Sequence, residues 1–127
     1  MNLIEIFMII VIHWVADFVL QSDEDAKGKS KYAKNLLNHT ALYSFLWLTP
    51  LMIYNEVLLS DKLIGFHLAF DFICITFIFH TITDYFTSRL NAKLWEEKKA
   101  HNFFVSIGFD QVLHYVQLFI TFYIIYK

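Results

Sequence analysis

Four long stretches of the chain consist mainly of Ile, Phe, Leu and Val, and three short polar connections separate them. A helix that crosses a bilayer needs about 17–25 mainly apolar residues. The stretches lack strict alternation of apolar and polar positions, so helices fit better than barrel strands. The pattern therefore predicts an all-α fold, a four-helix transmembrane bundle forming one integral membrane domain over residues 1–127. The predicted helices cover residues 3–20, 36–54, 63–88 and 103–126.

The composition supports this class of protein and excludes several others. The hydrophobic fraction is 57% and the charged fraction 17%, compared with roughly 45–50% and 25% in soluble domains. The net charge of −2 gives no electrostatic footprint for nucleic acid, so we expect no such partner. The single cysteine, Cys74, excludes an internal disulfide and a zinc site built from cysteines.

The basic residues in the connections predict the orientation. The first connection, residues 21–35, contains four lysines, and the third, residues 89–102, contains one arginine and three lysines. The second connection contains one basic residue, Lys62. Because short connections rich in Lys and Arg stay in the cytoplasm, we expect the first and third connections to be cytoplasmic. Both termini would then lie outside.

Ionisable residues within the hydrophobic stretches are the main functional signal. A charged group at the bilayer centre costs at least ~2.5–3.5 kcal/mol on insertion scales. Such groups are therefore expected to face one another, a cavity or a cation. They occur in all four stretches, as His13 and Asp17, His39, His80 and Asp84, and Asp110 and His114.

The spacing of these residues predicts one shared site. Three stretches carry a His/Asp pair four residues apart, which places both side chains on one helix face with Cβ atoms ~5–6 Å apart. In the predicted topology, the two helices that run towards the cytoplasm have His before Asp, whereas the fourth runs outwards and has Asp before His. His39 follows soon after the cytoplasmic start of the second helix. We therefore expect a His/Asp cluster in the cytoplasmic half of the bundle.

The cluster has the donor atoms of a metal site. Imidazole nitrogens and carboxylate oxygens bind zinc, iron and manganese, and a dication offsets the charge of buried aspartates. Seven groups exceed one tetrahedral zinc, so either two metals bind or some aspartates orient ligand histidines. A hydrogen-bond network without metal is the alternative. The predicted ligands of a divalent metal (zinc, with iron or manganese as alternatives) are His13, His39, His80, Asp84, Asp110 and His114, with Asp17 as a ligand or general base.

A further pair, His67 and Asp71, is expected to lie outside the cluster. It precedes the pair formed by His80 and Asp84 by 13 residues, which is ~20 Å along a helix. It also points to roughly the opposite helix face. We expect both side chains at the outer membrane interface.

The chain resembles an uncharacterised family of bacterial and phage membrane proteins. The resemblance rests on His13-x-x-Ala-Asp-Phe-x-Leu-Gln21, the lysine-rich connection, His39, the His80/Asp84 pair and Asp110-Gln-x-x-His114. It covers nearly the whole chain and implies a protein of the bacterial inner membrane, or a phage protein inserted there. More remotely, the His-x-x-x-Asp pairs look like those of inner-membrane proteins proposed to be metal-dependent hydrolases, which are similar to zinc-dependent phospholipase C.

The leading functional hypothesis is a metal-dependent hydrolase acting on a phosphate- or acyl-containing lipid or headgroup near the cytoplasmic interface. A metal lowers the pKa of bound water and polarises a phosphoryl or acyl oxygen. The predicted substrate-binding residues are Lys34, Arg89 and Gln21. Two other classes stay open: a non-enzymatic membrane partner with a structural metal or polar network, and a proton- or metal-ion-conducting protein. The expected partners are the lipid bilayer and a lipid substrate, and an oligomer is also open.

Overall fold

The computed structural model describes all 127 residues, which form helices joined by short turns without any β-strand. The predicted all-α class is therefore confirmed. The first helix continues directly into a π-helical turn, so that six α-helices and one π turn make up the fold. The elements are α1 (Leu3–Trp14), the π turn (Val15–Val19), α2 (Asp23–Gly28), α3 (Ala33–Phe45), α4 (Leu48–Leu58), α5 (Lys62–Glu96) and α6 (Ala100–Tyr126).

Helix α5 is the centre of the bundle. It packs along α6 and against both α3 and α4, while α1 packs against α6 and the π turn contacts α3. The core between these helices is apolar, and the ring centroids of Trp47 and Phe72 lie 5.2 Å apart within it. Its buried side chains are Ile9, Ala16, Tyr43, Trp47, Leu51, Ala69, Phe72, Ile73, Leu118 and Phe122.

The second hydrophobic stretch forms two helices instead of one. The break lies at Leu46 and Trp47, just before the only proline, Pro50. A proline ring excludes the carbonyl four residues earlier, here that of Leu46, from the regular helical position. Pro50 itself lies in the first turn of α4, where its missing N–H leaves no intrahelical bond unmade. The predicted single helix over residues 36–54 is therefore interrupted near its middle.

The third connection is much shorter than the sequence indicated. Helix α5 continues to Glu96 and α6 begins at Ala100, so residues 89–96 extend the helix beyond its apolar part. These residues include neither Gly nor Pro and contain good helix formers. The turn closes with Lys98 in the left-handed region at φ 55°, and Lys99 N–H donates to Leu94 O at 3.0 Å. This hydrogen bond satisfies a carbonyl at the end of α5.

Two helices, α5 and α6, are long and apolar enough to cross a membrane. Helices α1, α3 and α4 contain 12, 13 and 11 residues, so none of them reaches that length alone. The bundle nevertheless exposes large apolar side chains such as Phe86, Phe104 and Ile124, which is typical of a surface that contacts lipid or a partner. Helix length by itself therefore supports two crossings rather than the four predicted.

Both termini lie at the same end of the bundle, where the buried side chain of Glu5 joins them. Its Oε1 accepts a hydrogen bond from Tyr54 Oη at 2.6 Å and from Lys127 Nζ at 3.0 Å. Its Oε2 accepts from the backbone N–H of Asn2, which completes the N-terminal cap of α1. One carboxylate thus connects α1, α4 and the end of α6.

We expect Glu5→Gln to lower the free energy of unfolding by on the order of 1–2 kcal/mol, because it weakens charge-assisted hydrogen bonds to Tyr54 and Lys127. Glu56→Gln is the matched control, since Glu56 pairs with Lys62 on the exposed surface. Thermal unfolding of both variants in detergent provides the measurement. Equal midpoints for the two variants would contradict the role of Glu5.

Candidate metal centre

The structure brings together the seven histidine and aspartate side chains of the predicted cluster, and all seven are buried. They come from α1 and its π turn, α3, α5 and α6. Two sets of three side chains each offer ligand atoms that lie within 4.8 Å of one another. The sets are Asp17, His39 and His80, and His80, Asp84 and His114.

Two imidazole nitrogens and two carboxylates form the centre of the cluster. His39 Nε2 lies 3.2 Å from His80 Nε2, 3.1 Å from Asp17 Oδ1 and 3.3 Å from Asp84 Oδ2. His80 Nε2 lies 3.7 Å from the nearest oxygen of each carboxylate. Ligands bound to zinc at ~2.0–2.1 Å in a tetrahedral site are ~3.3–3.4 Å apart. These distances therefore match the spacing of atoms that share one cation.

The second set extends the cluster along α6. His114 Nε2 lies 3.2 Å from Asp84 Oδ1 and 3.4 Å from Asp110 Oδ1. The ring of His114 stacks on His80 with centroids 4.1 Å apart, and Tyr43 stacks on the other side of His80 at 3.9 Å. His80 is thus clamped between two rings and common to both sets.

The π turn separates the roles of His13 and Asp17. In a π turn, a backbone N–H donates to the carbonyl five residues earlier, and here Leu20 N–H donates to Val15 O at 3.0 Å. Asp17 Oδ1 faces His39 on α3, whereas His13 faces Tyr43 and Gln111. The predicted ligand His13 therefore lies beside the cluster and in neither set of candidate ligands.

Hydrogen bonds assign both nitrogens of His13 to neighbours. The amide nitrogen of Gln111 donates to Asp17 Oδ2 at 3.1 Å and to Asp110 Oδ2 at 3.3 Å, so its oxygen is left to accept from His13 Nε2 at 2.8 Å. His13 Nδ1 then accepts from Tyr43 Oη at 2.7 Å. This arrangement orients two aspartates and leaves no free lone pair on His13 for a metal.

Lys29 supplies one positive charge to the cluster. Its Nζ donates to Asp84 Oδ2 at 2.8 Å. Burial alone would lower the pKa of Lys29, but the attraction of Asp84 and Asp17 outweighs it and raises the pKa above the usual value. Three buried carboxylates and one ammonium leave two negative charges. Two protonated histidines or a divalent ion would balance them.

The first connection places Lys29 by packing α2 tightly onto α3. The amide nitrogen of Asn35 donates to Glu24 O at 3.3 Å and to Asp25 Oδ1 at 3.2 Å. A Cβ at Gly28 would lie 2.6 Å from Cγ of Asn35, so only glycine fits this close approach. The chain therefore turns next to Asn35 and directs Lys29 into the cluster.

Two buried carboxylate oxygens test whether the residues fit a metal. Asp17 Oδ1 faces His39 Nε2 at 3.1 Å and Asp110 Oδ1 faces His114 Nε2 at 3.4 Å. A buried carboxylate oxygen needs a donor or a cation, and a cation would satisfy Asp17 Oδ1. The predicted ligand Asp110 belongs to neither set of candidate ligands. Nitrogen and oxygen donors in this mixture suit zinc, iron or manganese. The residues present therefore fit a divalent metal, and its identity is open.

A cavity of about 540 Å³ leads to the cluster between α2, the C-terminal part of α5 and the N-terminal part of α6. Its volume lies within the range of small-molecule sites, roughly 300–1,000 Å³. Asp17, Asp110, Gln111 and Lys29 line its inner part, and aromatic side chains including Trp95 line its outer part. The cavity therefore combines a polar inner end with an apolar entrance.

The predicted substrate-binding residues have different positions. Gln21 lines the cavity. Lys34 is exposed near the start of α3, and Arg89 donates to Tyr85 O at 2.7 Å with its guanidinium over the Tyr85 ring. Neither Lys34 nor Arg89 lines the cavity.

Outside the cluster, His67 and Asp71 are exposed on α5. Neither side chain belongs to a set of candidate ligands. Their position agrees with the expectation that this pair is separate from the site.

Two residues of the site were missed from the sequence. Tyr43 follows His39 by four residues, a spacing that places it on the same face of α3 and could have identified it. Lys29 is one of four lysines in the first connection, and nothing in the local pattern distinguishes it. Its role depends on how α2 packs against α3.

Comparison with known proteins identifies one family. A family model described as a protein of unknown function (DUF3307) matches residues 6–127, a range that includes the whole cluster. No curated protein and no solved structure matches the chain. The expected resemblance to an uncharacterised family is confirmed, and the remoter likeness to metal-dependent hydrolases stays a prediction.

We expect His80→Ala to lower metal affinity by at least ~10–100-fold, because the change removes the side chain common to both ligand sets. His67→Ala on the same helix is the matched control and should retain the metal. Elemental analysis of the purified proteins after dialysis against zinc provides the measurement. Similar losses in the two variants would contradict the assigned site.

Proposed function

The chain belongs to DUF3307, a family of unknown function, and we propose that it is an integral membrane metalloprotein that hydrolyses a phosphate- or acyl-containing lipid or headgroup. The supporting observation is the position of His39 and His80 Nε2, which lie 3.1–3.7 Å from carboxylate oxygens of Asp17 and Asp84. A cavity reaches this cluster from outside. Metal donors at the end of a cavity are typical of a catalytic rather than a closed structural site.

The proposal places four helical segments across the bacterial inner membrane. In this arrangement α1 and its π turn form one crossing, α3 and α4 form a second across their break, and α5 and α6 form the other two. The exposed apolar side chains of all these segments support it. The lysines of the first connection and those near the turn after α5 lie at the cavity end, which therefore faces the cytoplasm.

His39, His80 and Asp84, whose nearest nitrogen and oxygen atoms lie 3.2–3.7 Å apart, would hold the divalent metal, with Asp17 beside it. His114 with Asp84 offers a neighbouring position. When bound, the metal would supply a Lewis acid and lower the pKa of a bound water. Zinc is our first choice because its usual ligands are these nitrogen and oxygen donors, with iron and manganese as alternatives.

The protein's own residues would position the substrate and move the proton. Asp17 lines the cavity and its Oδ2 is held by Gln111, so Asp17 acts as the general base that accepts a proton from water. Lys29 lines the same wall, and its ammonium would bind a phosphoryl oxygen of the substrate. The apolar entrance would accommodate the lipid part and limit the access of bulk water.

A second candidate is a non-enzymatic membrane protein held together by a polar network or structural metal. The pairing of Lys29 Nζ with Asp84 Oδ2 at 2.8 Å favours it, because a side chain already neutralises one carboxylate. The bridging of Asp17 and Asp110 by Gln111 gives further hydrogen bonds without a metal. This candidate requires no turnover, which separates it from the hydrolase.

We expect Asp17→Asn to lower the rate of lipid hydrolysis by ~10²–10⁴-fold, because it removes the proposed general base. Metal content should persist, since His80, Asp84 and His114 form a set without Asp17. Asp71→Asn, an exposed change on α5, is the control. The measurement is mass spectrometry of the products from phospholipid vesicles, together with metal analysis.

Hydrolysis by Asp17→Asn at the wild-type rate would rule out Asp17 as the base. Metal-loaded wild-type protein that releases neither fatty acid nor headgroup from phospholipid vesicles would refute lipid hydrolysis. That result would favour the non-enzymatic candidate.

We expect single cysteines in a Cys74→Ser background to report the proposed topology. Glu56→Cys should react with a membrane-impermeant maleimide in intact spheroplasts, because the turn after α4 lies outside in the proposal. Lys31→Cys and Lys98→Cys should react only after permeabilisation. All three positions are exposed, so burial does not prevent labelling. Reaction of Lys31→Cys in intact spheroplasts would overturn the orientation.

A further inference from the structure

The outward face of α5 carries a polar pair that neither the metal centre nor its cavity uses. His67 and Asp71 are exposed there, and Asp71 lies eight residues inside the apolar stretch that begins at Leu63, which is ~12 Å along the helix. Ionisable side chains in membrane-spanning helices almost always face the interior of a bundle or pair with one another, because lipid does not solvate a charge. An outward-facing Asp71 therefore indicates that this face of α5 meets protein rather than lipid.

The residues around this pair repeat with the spacing of a helix–helix seam. Steps of three and four residues alternate along the face, which is the heptad pattern of a left-handed helix pair. Ile64 and Ile78 at its two ends are 51% and 54% exposed, whereas Ala69 and Thr76 on the opposite side of α5 are fully buried in the bundle. The seam is therefore not covered by the chain's own helices. The side chains of this α5 seam are Ile64, His67, Asp71, Cys74 and Ile78.

Apolar side chains flank the α5 seam on both sides. The neighbouring heptad positions are Phe70 and Phe77 on one side and Leu68 and Ile75 on the other. Phe70 and Phe77 also line an apolar groove of about 380 Å³ between α5 and the break that separates α3 from α4, which leaves room for a side chain of a helix packed on the seam. An apolar surface with a few hydrogen-bonding side chains is typical of helix–helix contacts in membranes.

We propose that the α5 seam binds a second copy of the chain in the membrane, with His67 of each copy pairing with Asp71 of the other. The surface is self-complementary, because a carboxylate and an imidazole one turn apart match the same face of a second copy across a two-fold axis. Both copies cross the membrane in the same direction, so the two α5 helices run parallel, and Asp71 then packs beside the partner's His67. The inference rests on the proposed membrane topology and requires neither the metal nor hydrolysis.

The native cysteine provides the test, because Cys74 is the only cysteine in the chain and lies in the seam. Full-length protein in isolated membranes is oxidised with copper phenanthroline, and a non-reducing gel quantifies the dimer. In a parallel pair the two Cys74 residues face each other, within the Cα separation of ~4.4–6.8 Å that a disulfide requires. We expect most chains to form a dimer that dithiothreitol reverses, and Cys74→Ser to form none.

The matched control for random collision is Ile120→Cys in the Cys74→Ser background. Ile120 is exposed on α6 and follows His114 by six residues, as Cys74 precedes His80 by six. The two positions lie at similar depth, because the rings of His80 and His114 stack. The control should cross-link at least about fivefold less than the wild-type chain. Equal cross-linking of the two, no dimer of the wild-type chain, or a link from Cys74 to a protein of different size would overturn the proposal.

An exchange of charges between copies tests the pairing itself. His67→Asp should lower cross-linking at least about fivefold, because carboxylates then face carboxylates. Coexpression of His67→Asp with Asp71→His, each with its own tag, should restore a linked dimer that contains both tags, since one copy then carries two carboxylates and the other two imidazoles. Neither chain regains a pair of its own, so the recovery reports contact between copies. A mixed dimer no more abundant than the dimer of either variant alone would contradict the pairing.

Circular dichroism in detergent verifies that the variants fold, and if they do not, the comparison of wild-type protein with Ile120→Cys decides alone. Cross-linking needs neither metal nor substrate, so its outcome is independent of the chemistry. A dimer in a protein that hydrolyses no lipid would keep the seam and refute the hydrolase. Hydrolysis by a chain that never links through Cys74 would do the reverse.

Discussion

The burial of three carboxylates among apolar helices is the constraint on which the rest of the structure depends. Asp17, Asp84 and Asp110 lie inside the bundle, where an ionised group needs a partner of opposite charge or several hydrogen bonds. The four helices that carry the cluster must therefore converge at one depth. The first connection must also fold back, because Lys29 is the basic side chain that reaches Asp84.

Two helix irregularities allow this convergence in a small bundle. The π turn directs Asp17 towards His39 while His13 keeps its hydrogen bonds to Tyr43 and Gln111. One short segment thus supplies a candidate ligand, Asp17, and a second residue, His13, that holds the neighbouring side chain of Gln111. The break before Pro50 separates α3, which carries His39, from α4. Helix α4 packs on α5 near the end of the bundle where both chain termini lie. Each half can then follow its own packing direction.

Helical class and the members of the cluster could be predicted because both depend on short-range patterns. Pairs four residues apart share a helix face whatever the surrounding fold, and apolar length indicates a helix in lipid. The π turn at Asp17 and the inward position of Lys29 depend on tertiary packing, whereas the break at Leu46 had a local signal in Pro50. A regular helix would place His13 and Asp17 on one face of the site, and it therefore predicted His13 as a ligand, a role that its hydrogen bonds exclude. Helix α2 had a local signal, since Ser22 caps it ahead of three acidic residues.

The position of His80 has a consequence for stoichiometry. Its Nε2 faces both Asp17 and Asp84 at 3.7 Å, and an imidazole nitrogen has a single lone pair to give. Where both ligand sets use this nitrogen, two cations cannot share its lone pair, and the sets would be alternative positions for one ion. An ion that moved between them would exchange Asp17 and His39 for Asp84 and His114 without leaving His80. The ring of His80, held between two other rings, would then remain bound to the ion throughout the exchange.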